Sequence, residues 1–237
     1  MTAHNVQVTW LGHSTFKLVT PEKRVVVIDP WVMNNPACPE VLKSFDELDV
    51  MLLTHGHFDH IGDAVELGKA HTPGIVGIYE LCHWLEGKGV SNTLPMNKGG
   101  SQRVVNLSVT MTHADHSCGI LDGDSILYGG EAVGYVIEFT SGLRIYHAGD
   151  TNLFGDMKLI RELYRPNIAM LPIGGLFTMS PREASYACQF LGAETIIPMH
   201  FGTFPALTGT PEELKNLTRH LSWLQVVTLA TGESVNL

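Results

Sequence analysis

Apolar positions recur along this chain in short runs, each closed by polar residues, and their spacing switches between the period of a strand and that of a helix. At the start, Val6 to Leu11, Phe16 to Val19 and Val25 to Ile28 read as strands of a meander, the last ending at Asp29-Pro30. The run Val50-Met51-Leu52-Leu53 reads as a further strand. It is followed by a short helix over Ala64 to Lys69, a strand over Ile75 to Tyr79 and a helix over Leu81 to Glu86. Val104 to Thr112 alternates as one half-buried strand that ends at His113-Ala114-Asp115-His116.

The second half has similar content. Strands are expected over Val133 to Thr140 and Leu143 to His147, the latter closing at Gly149-Asp150, and a helix runs from about Met157 to Tyr164. Ile168 to Pro172 and Thr195 to Pro198 read as buried strands, the second ending just before His200. Ser180-Pro181-Arg182-Glu183 has the form of a capping box with proline at the first helical position, and Thr210-Pro211-Glu212-Glu213 repeats it. Helices are therefore expected over Pro181 to Leu191 and Pro211 to Leu224. Nothing along the chain resembles a linker, so residues 1–237 are expected to form a single domain.

Composition narrows the class. At 44% hydrophobic residues the chain can build a sizeable core, yet no segment approaches the ~18 uncharged apolar residues of a membrane span. Met1-Thr2-Ala3-His4-Asn5 leads straight into a strand pattern, and Cys38, Cys82, Cys118 and Cys188 form no C-x-x-C pair. Both features point to a soluble protein of a reducing cytoplasm. With 15 basic against 24 acidic residues, a net charge of −9, the chain is poorly suited to polynucleotides, whose binding rests on phosphate neutralisation by Lys and Arg. A small-molecule partner is expected, with no nucleic acid and no membrane.

The chemistry concentrates in His55-Gly56-His57-Phe58-Asp59-His60, directly after the Val50 to Leu53 run. Alternate residues leaving a strand face the same way, so His55 and His57 can grip one ion, and Asp59 and His60 on the following turn a second. Three more segments deliver ligand-type residues where an apolar run meets a loop: His116, Asp150 and His200. Strand ends on one rim of a sheet are close in space, so these groups can share one cleft. Seven ligands are too many for one tetrahedral zinc, which implies two divalent ions. His113 competes with His116 for the third-histidine role. His4, His71, His83 and His220 have no such context and read as surface or packing residues, and His147 as a structural residue within its strand.

These motifs resemble the metallo-β-lactamase superfamily, and within it the branch of small metal-dependent hydrolases. The resemblance rests on Leu11-Gly12-His13-Ser14, Ile28-Asp29-Pro30, the His55 to His60 motif with Thr54 before it, His116-Ser117, Tyr146-His147-Ala148-Gly149-Asp150-Thr151, Leu171-Pro172-Ile173-Gly174-Gly175, Phe177-Thr178-Met179 and Pro198-Met199-His200. It implies an α/β fold, the αββα four-layer sandwich of two mixed sheets with helices outside. It also implies a ligand set: His55, His57 and His116 on the first ion, Asp59, His60 and His200 on the second, and Asp150 bridging them. Asp59 and His60 are the expected catalytic residues. His116 is preferred over His113 because it precedes Ser117, as in the family motif. Imidazole with carboxylate suits Zn(II), and Mn(II), Fe or Ni(II) fit the same donors. The implied nucleophile is a metal-bridging hydroxide, since a catalytic zinc lowers the pKa of bound water to around 7. His13 is expected as a substrate contact or extra ligand, or else as a structural histidine. Asp29 is expected to orient the histidine loop, Thr178 with Phe177 to form a cleft wall, and Phe201 to Pro205 to supply an apolar wall.

Against the superfamily's other reactions, Asp150 departs from the true β-lactamases as a bridging carboxylate they lack. Gly56 stands where redox di-iron relatives carry Glu. The segment after His200 is too short for the helical domain of glyoxalase-type thioesterases, and the chain has no basic arm like those of tRNA-processing relatives. The expectation is a metal-dependent hydrolase of a small ester, lactone or phosphodiester. The alternatives are a redox di-metal protein, a non-catalytic metal-binding module and an RNA-processing nuclease.

Overall fold

Two seven-stranded sheets dominate the computed structural model, which describes residues 4–237. The first half of the chain supplies β1 (Gln7–Gly12), β2 (Thr15–Val19), β3 (Val25–Ile28), β4 (Val50–Leu52), α1 (Phe58–Ile61), α2 (Ala64–His71), β5 (Gly74–Ile78), α3 (Tyr79–Gly87) and β6 (Thr93–Met96). The second supplies β7 (Ser101–Val104), β8 (Leu107–His113), β9 (Gly119–Asp122), β10 (Ser125–Tyr128), β11 (Val133–Glu138), β12 (Arg144–His147) and α4 (Met157–Tyr164). It continues with β13 (Ile168–Pro172), α5 (Pro181–Leu191), β14 (Thr195–Met199), α6 (Pro211–Thr218), β15 (Gln225–Val226) and β16 (Ser234–Asn236). Strand order is β16-β1-β2-β3-β4-β5-β6 in one sheet and β15-β14-β13-β12-β11-β8-β7 in the other. Each sheet mixes antiparallel meander pairs with parallel crossover pairs.

Side-chain alternation explains the layering. On β13, Ile168 and Met170 join a core shared with Val8, Phe16 and Val27 of the first sheet, whereas Ala169 and Leu171 join a second core with Met157 of α4 and Ala184 and Cys188 of α5. A strand buried on both faces in this way lies between a partner sheet and a helical layer. On the other side Leu81 and Leu85 of α3 pack against β5 and β6. The result is the expected αββα sandwich.

Local signals account for the helix starts. Ser180 accepts from the Arg182 N–H while the Glu183 side chain returns to the Ser180 N–H, a complete capping box. At Thr210 only the forward half forms, with the hydroxyl accepting from the Glu213 N–H. The helix that follows is shorter than the pattern predicts: it ends at Thr218 instead of Leu224, because the chain must turn for Gln225 to pair with Thr195. Val104 to Thr112 is a hairpin, not one strand. Val104 pairs with Leu107 across Val105 and Asn106, and Val105 sits exposed at φ 49°. The reading of the apolar pattern assigns no element over β6, the β9–β10 hairpin or α1. No helix among the described residues is long and apolar enough to cross a membrane.

Candidate metal centre

Five connections bring ligand-type side chains to one rim of the sandwich. His13 lies in the β1–β2 turn, His55 to His60 follow β4, His116 follows β8, Asp150 follows β12 and His200 follows β14. His55 and His57 lie beyond the end of β4 in extended chain, with His57 as the N-cap residue of the one-turn helix α1 that carries Asp59 and His60. His13, Asp29 and His200 adopt left-handed backbone at φ 56°, 50° and 55°. Such strain in bulky residues costs on the order of 1–3 kcal/mol each and persists where surrounding structure holds it. Here the His200 N–H donates to the His13 carbonyl at 2.9 Å, tying two of these residues together.

Asp29 organises the histidine loop from beneath. Its carboxylate accepts from the Thr54 N–H at 2.8 Å, the Thr54 hydroxyl at 2.7 Å and His60 Nδ1 at 2.8 Å. Because the Thr54 hydroxyl donates to Asp29, His55 Nδ1, 3.0 Å from that oxygen, is the donor in its own contact. Both His55 and His60 are thereby fixed as Nδ1–H, which leaves Nε2 of each ring to face the cluster.

Besides Asp29 with His55 and His60, whose contacts are those just described, two groups of donors result. His55, His57 and His116 form one, with His55 Nε2 and His57 Nδ1 at 3.0 Å. His13, Asp59, His60 and His200 form the other, with His13 Nε2 and Asp59 Oδ2 at 3.0 Å. Asp150 stands between them: its Oδ2 lies 2.9 Å from His200 Nε2, 3.3 Å from His60, 3.7 Å from His116 and 4.0 Å from His55. His113 is elsewhere, exposed at the end of β8 against Lys98 and Phe154. His147 is buried in β12, donating from Nε2 to the Ser14 carbonyl and accepting the Gly149 N–H on Nδ1. None of His4, His71, His83 and His220 joins either group.

The donors fit divalent ions. His60 Nε2, Asp150 Oδ1 and His200 Nδ1 are buried without a hydrogen-bond partner, and unpaired polar atoms at such depth are expensive. His60 Nε2 and Asp150 Oδ2 face each other at 3.3 Å, an arrangement that a proton on the ring or a divalent ion beside both would stabilise. The electrostatics agree. Burial opposes ionisation of Asp150, but the facing His200 and His60 outweigh it and hold the carboxyl well below the usual range. Burial likewise works against a charge on His60, yet Asp150 and Asp29 hold its pKa well above the ordinary imidazole value. His55 is pushed well down by burial and by the neighbouring His60, and His13 is lowered to about 4, burial outweighing its bond to Asp59.

A cleft of about 720 Å³ opens onto His57, Asp59, His116, Asp150 and His200. Phe177 and Phe204 line it, from two of the segments expected to form walls, whereas Thr178 does not and its Oγ1 is buried without a partner. Leu121 and Ile126, on β9 and β10, also line it. These two were missed by the sequence reading, although the apolar runs flanking Asp122-Gly123-Asp124 are a hairpin signal. Ser117, whose Oγ is 3.2 Å from His57 Nε2, stood in the sequence reading only as part of a motif.

The double sheet, its crossover strands and the histidine–aspartate cluster at its rim define a metallo-β-lactamase-fold protein. Residues 24–201 match the family model of the Beta-lactamase superfamily domain, and the chain belongs to that superfamily. Within it the chain belongs to the UPF0173 metal-dependent hydrolases. It is 60% identical to the member from Koribacter versatilis over 91% of this chain and 92% of the relative, and 54% identical to that from Solibacter usitatus over 97% and 99%. Among solved structures it is similar to Igni18, a metallo hydrolase from Ignicoccus hospitalis, with a TM-score of 0.86, 35% identity and 98% of both chains covered.

Proposed function

We propose that residues 1–237 form a single-domain hydrolase that holds two divalent ions, most simply Zn(II), and cleaves a small ester, lactone or phosphodiester. The observation that carries this reading is the position of Asp150, whose Oδ2 lies within 4.0 Å of imidazole nitrogens from both donor groups. In this reading His55, His57 and His116 would hold one ion and Asp59, His60 and His200 the other, with Asp150 placed to serve both. His13 lies close enough to Asp59 and His200 to steady the second group. Bound divalent ions would supply Lewis acidity and lower the pKa of a water towards neutrality.

The chain's own residues then orient and exchange protons. Asp59, on the cleft side with its Oδ2 held by His13, is the carboxylate that a reacting proton can reach. Burial disfavours its charge, but the bond from His13 and the charge of His60 outweigh that and hold it ionised. His60, clamped between Asp29 and Asp150, keeps its ring in one orientation.

A redox di-metal role is disfavoured by packing as well as sequence. A Cβ at Gly56 would lie 2.5 Å from Ile120 Cγ1, so a side chain at the position where redox relatives place Glu would have to displace Ile120. A nucleic-acid substrate is disfavoured because no Lys or Arg lines the cleft. Four free cysteines suit a reducing cytoplasm. The test is turnover of lactones, aryl esters and bis-aryl phosphodiesters by protein loaded separately with Zn(II) and Mn(II). Activity lost on chelation and restored by metal is expected. Metal-loaded protein that turns over none of the three classes would return the chain to the non-catalytic binding reading.

A further inference from the structure

The β9–β10 hairpin belongs to neither large sheet, yet it is firmly seated beside the site. Its pairing sets Leu121 opposite Ile126 and Ile120 opposite Leu127. Because side chains alternate between faces, Leu121 and Ile126 share one face and Ile120 occupies the other. Ile120 is buried against the bare backbone of Gly56, between His55 and His57. Leu121 and Ile126 therefore turn to the cleft, and they remain 60% and 78% exposed. The tip of the hairpin is pinned: Asp122 accepts from Trp84 Nε1 at 3.0 Å and from Lys88 Nζ at 2.7 Å, both on or just after α3.

The cleft is also lined by Phe177 and Phe58, 63% and 56% exposed, and by Phe204 and the buried Leu207. Apart from the donor cluster and Ser117, the lining offers no group to pair with an anion, and it contains no Lys or Arg. A charged substituent placed away from the cluster would lose its hydration without compensation. An alkyl arm would gain about 0.8 kcal/mol per buried methylene. The volume, about 720 Å³, lies within the ~300–1,000 Å³ typical of small-molecule sites.

We infer that the substrate is an uncharged carboxylic ester or lactone with a medium-length apolar arm, seated on the wall formed by Leu121 and Ile126 in the cleft that Phe177 also lines. This rests on the hydrolase reading above. Leu121 and Ile126 are specificity-determining residues in it, and a substrate whose arm carries a charge is the poorer one. The wall is preformed, because the bonds of Asp122 and the packing of Ile120 hold the hairpin in place without a ligand.

The experiment compares kcat/KM of the metal-loaded enzyme for p-nitrophenyl acetate, p-nitrophenyl octanoate and bis-p-nitrophenyl phosphate. In parallel, octanamide and acetamide, which lack an ester, are titrated calorimetrically. Octanoate is expected to exceed acetate by at least about tenfold, and octanamide to bind where acetamide does not. Leu121→Ser and Ile126→Ser should each shrink the octanoate-to-acetate ratio at least about threefold and weaken octanamide in parallel. Both positions are exposed, and an unchanged thermal melt identifies a folded variant. Equal kcat/KM for the two esters, preference for the phosphodiester, or a ratio unmoved by both substitutions overturns the inference while leaving the hydrolase reading intact. If no substrate is turned over, the hydrolase reading fails, and the octanamide titration with its two variants still decides whether the wall binds an apolar arm.

Discussion

His60 Nδ1 donates to Asp29 Oδ2 at 2.8 Å with both side chains fully buried, so the ring that faces Asp150 is aimed by a carboxylate on a different strand end. Asp29 also holds Thr54, and through it His55, which makes one carboxylate the support of a histidine from each donor group. Asp29→Asn is expected to weaken metal binding about 10–100-fold, the usual consequence of removing such a partner. Competition against a chromophoric chelator measures it. Unchanged affinity would show that packing alone orients the two rings.

Asp150 links the two groups, so Asp150→Ala is expected to lower ion content from about two per chain and to reduce hydrolysis at the same time. Elemental analysis of parent and variant after reconstitution gives the stoichiometry. A parent that takes up one ion in excess metal, or a variant that keeps two with full turnover, contradicts the bridge.

His116→Ala is expected to reduce metal affinity by at least about tenfold, whereas His113→Ala should leave it within about twofold of the parent. The first ring stands 5.1 Å from both His55 and His57, centroid to centroid, and the second is exposed beside Phe154. Metal titrations of the two variants side by side decide between them. The reverse order would give the role to His113.

Burial pushes all four thiols up from their ordinary 9.0, Cys38 and Cys118 to about 11 and Cys82 and Cys188 to about 12. A raised folded pKa favours the protonated form in the folded chain. The resulting stability is complete below pH 9.0 and is lost as pH rises through the folded values of about 11 to 12. The native protein should react slowly with Ellman's reagent at pH 8 and release four equivalents once unfolded, and its melting temperature should fall progressively above pH 9. A rapid native equivalent at pH 8 would identify an accessible thiolate.

Much of the site could be read along the chain because its residues occupy strand ends, where an apolar run stops and a polar cluster starts. His55 to His60, Asp150 and His200 all have that context, and β3, α4, β13 and α5 were predicted with the bounds observed. The misreadings have physical causes. Val104 to Thr112 alternates without a break, so its pattern hid a turn at Val105 and Asn106 that only pairing within β7–β8 reveals. Arg219 to Leu224 retains helix-compatible residues, but the pairing of Gln225 with Thr195 ends α6 earlier.

The sequence by itself determined which residues are able to bind metal, which runs are buried on two faces and where helices start, because residue chemistry, periodicity and caps act over a few neighbours. The tertiary structure decided which of these groups meet. His13 reaches Asp59 across 46 residues and Thr203 across 190, His116 turns to the cluster while His113 turns away, and Leu121 and Ile126 line the cleft. Those outcomes depend on strand register and sheet order, and a one-residue shift of register would send each side chain to the opposite face. Contacts of that range come from the packing of whole layers, which no local stretch of the chain encodes.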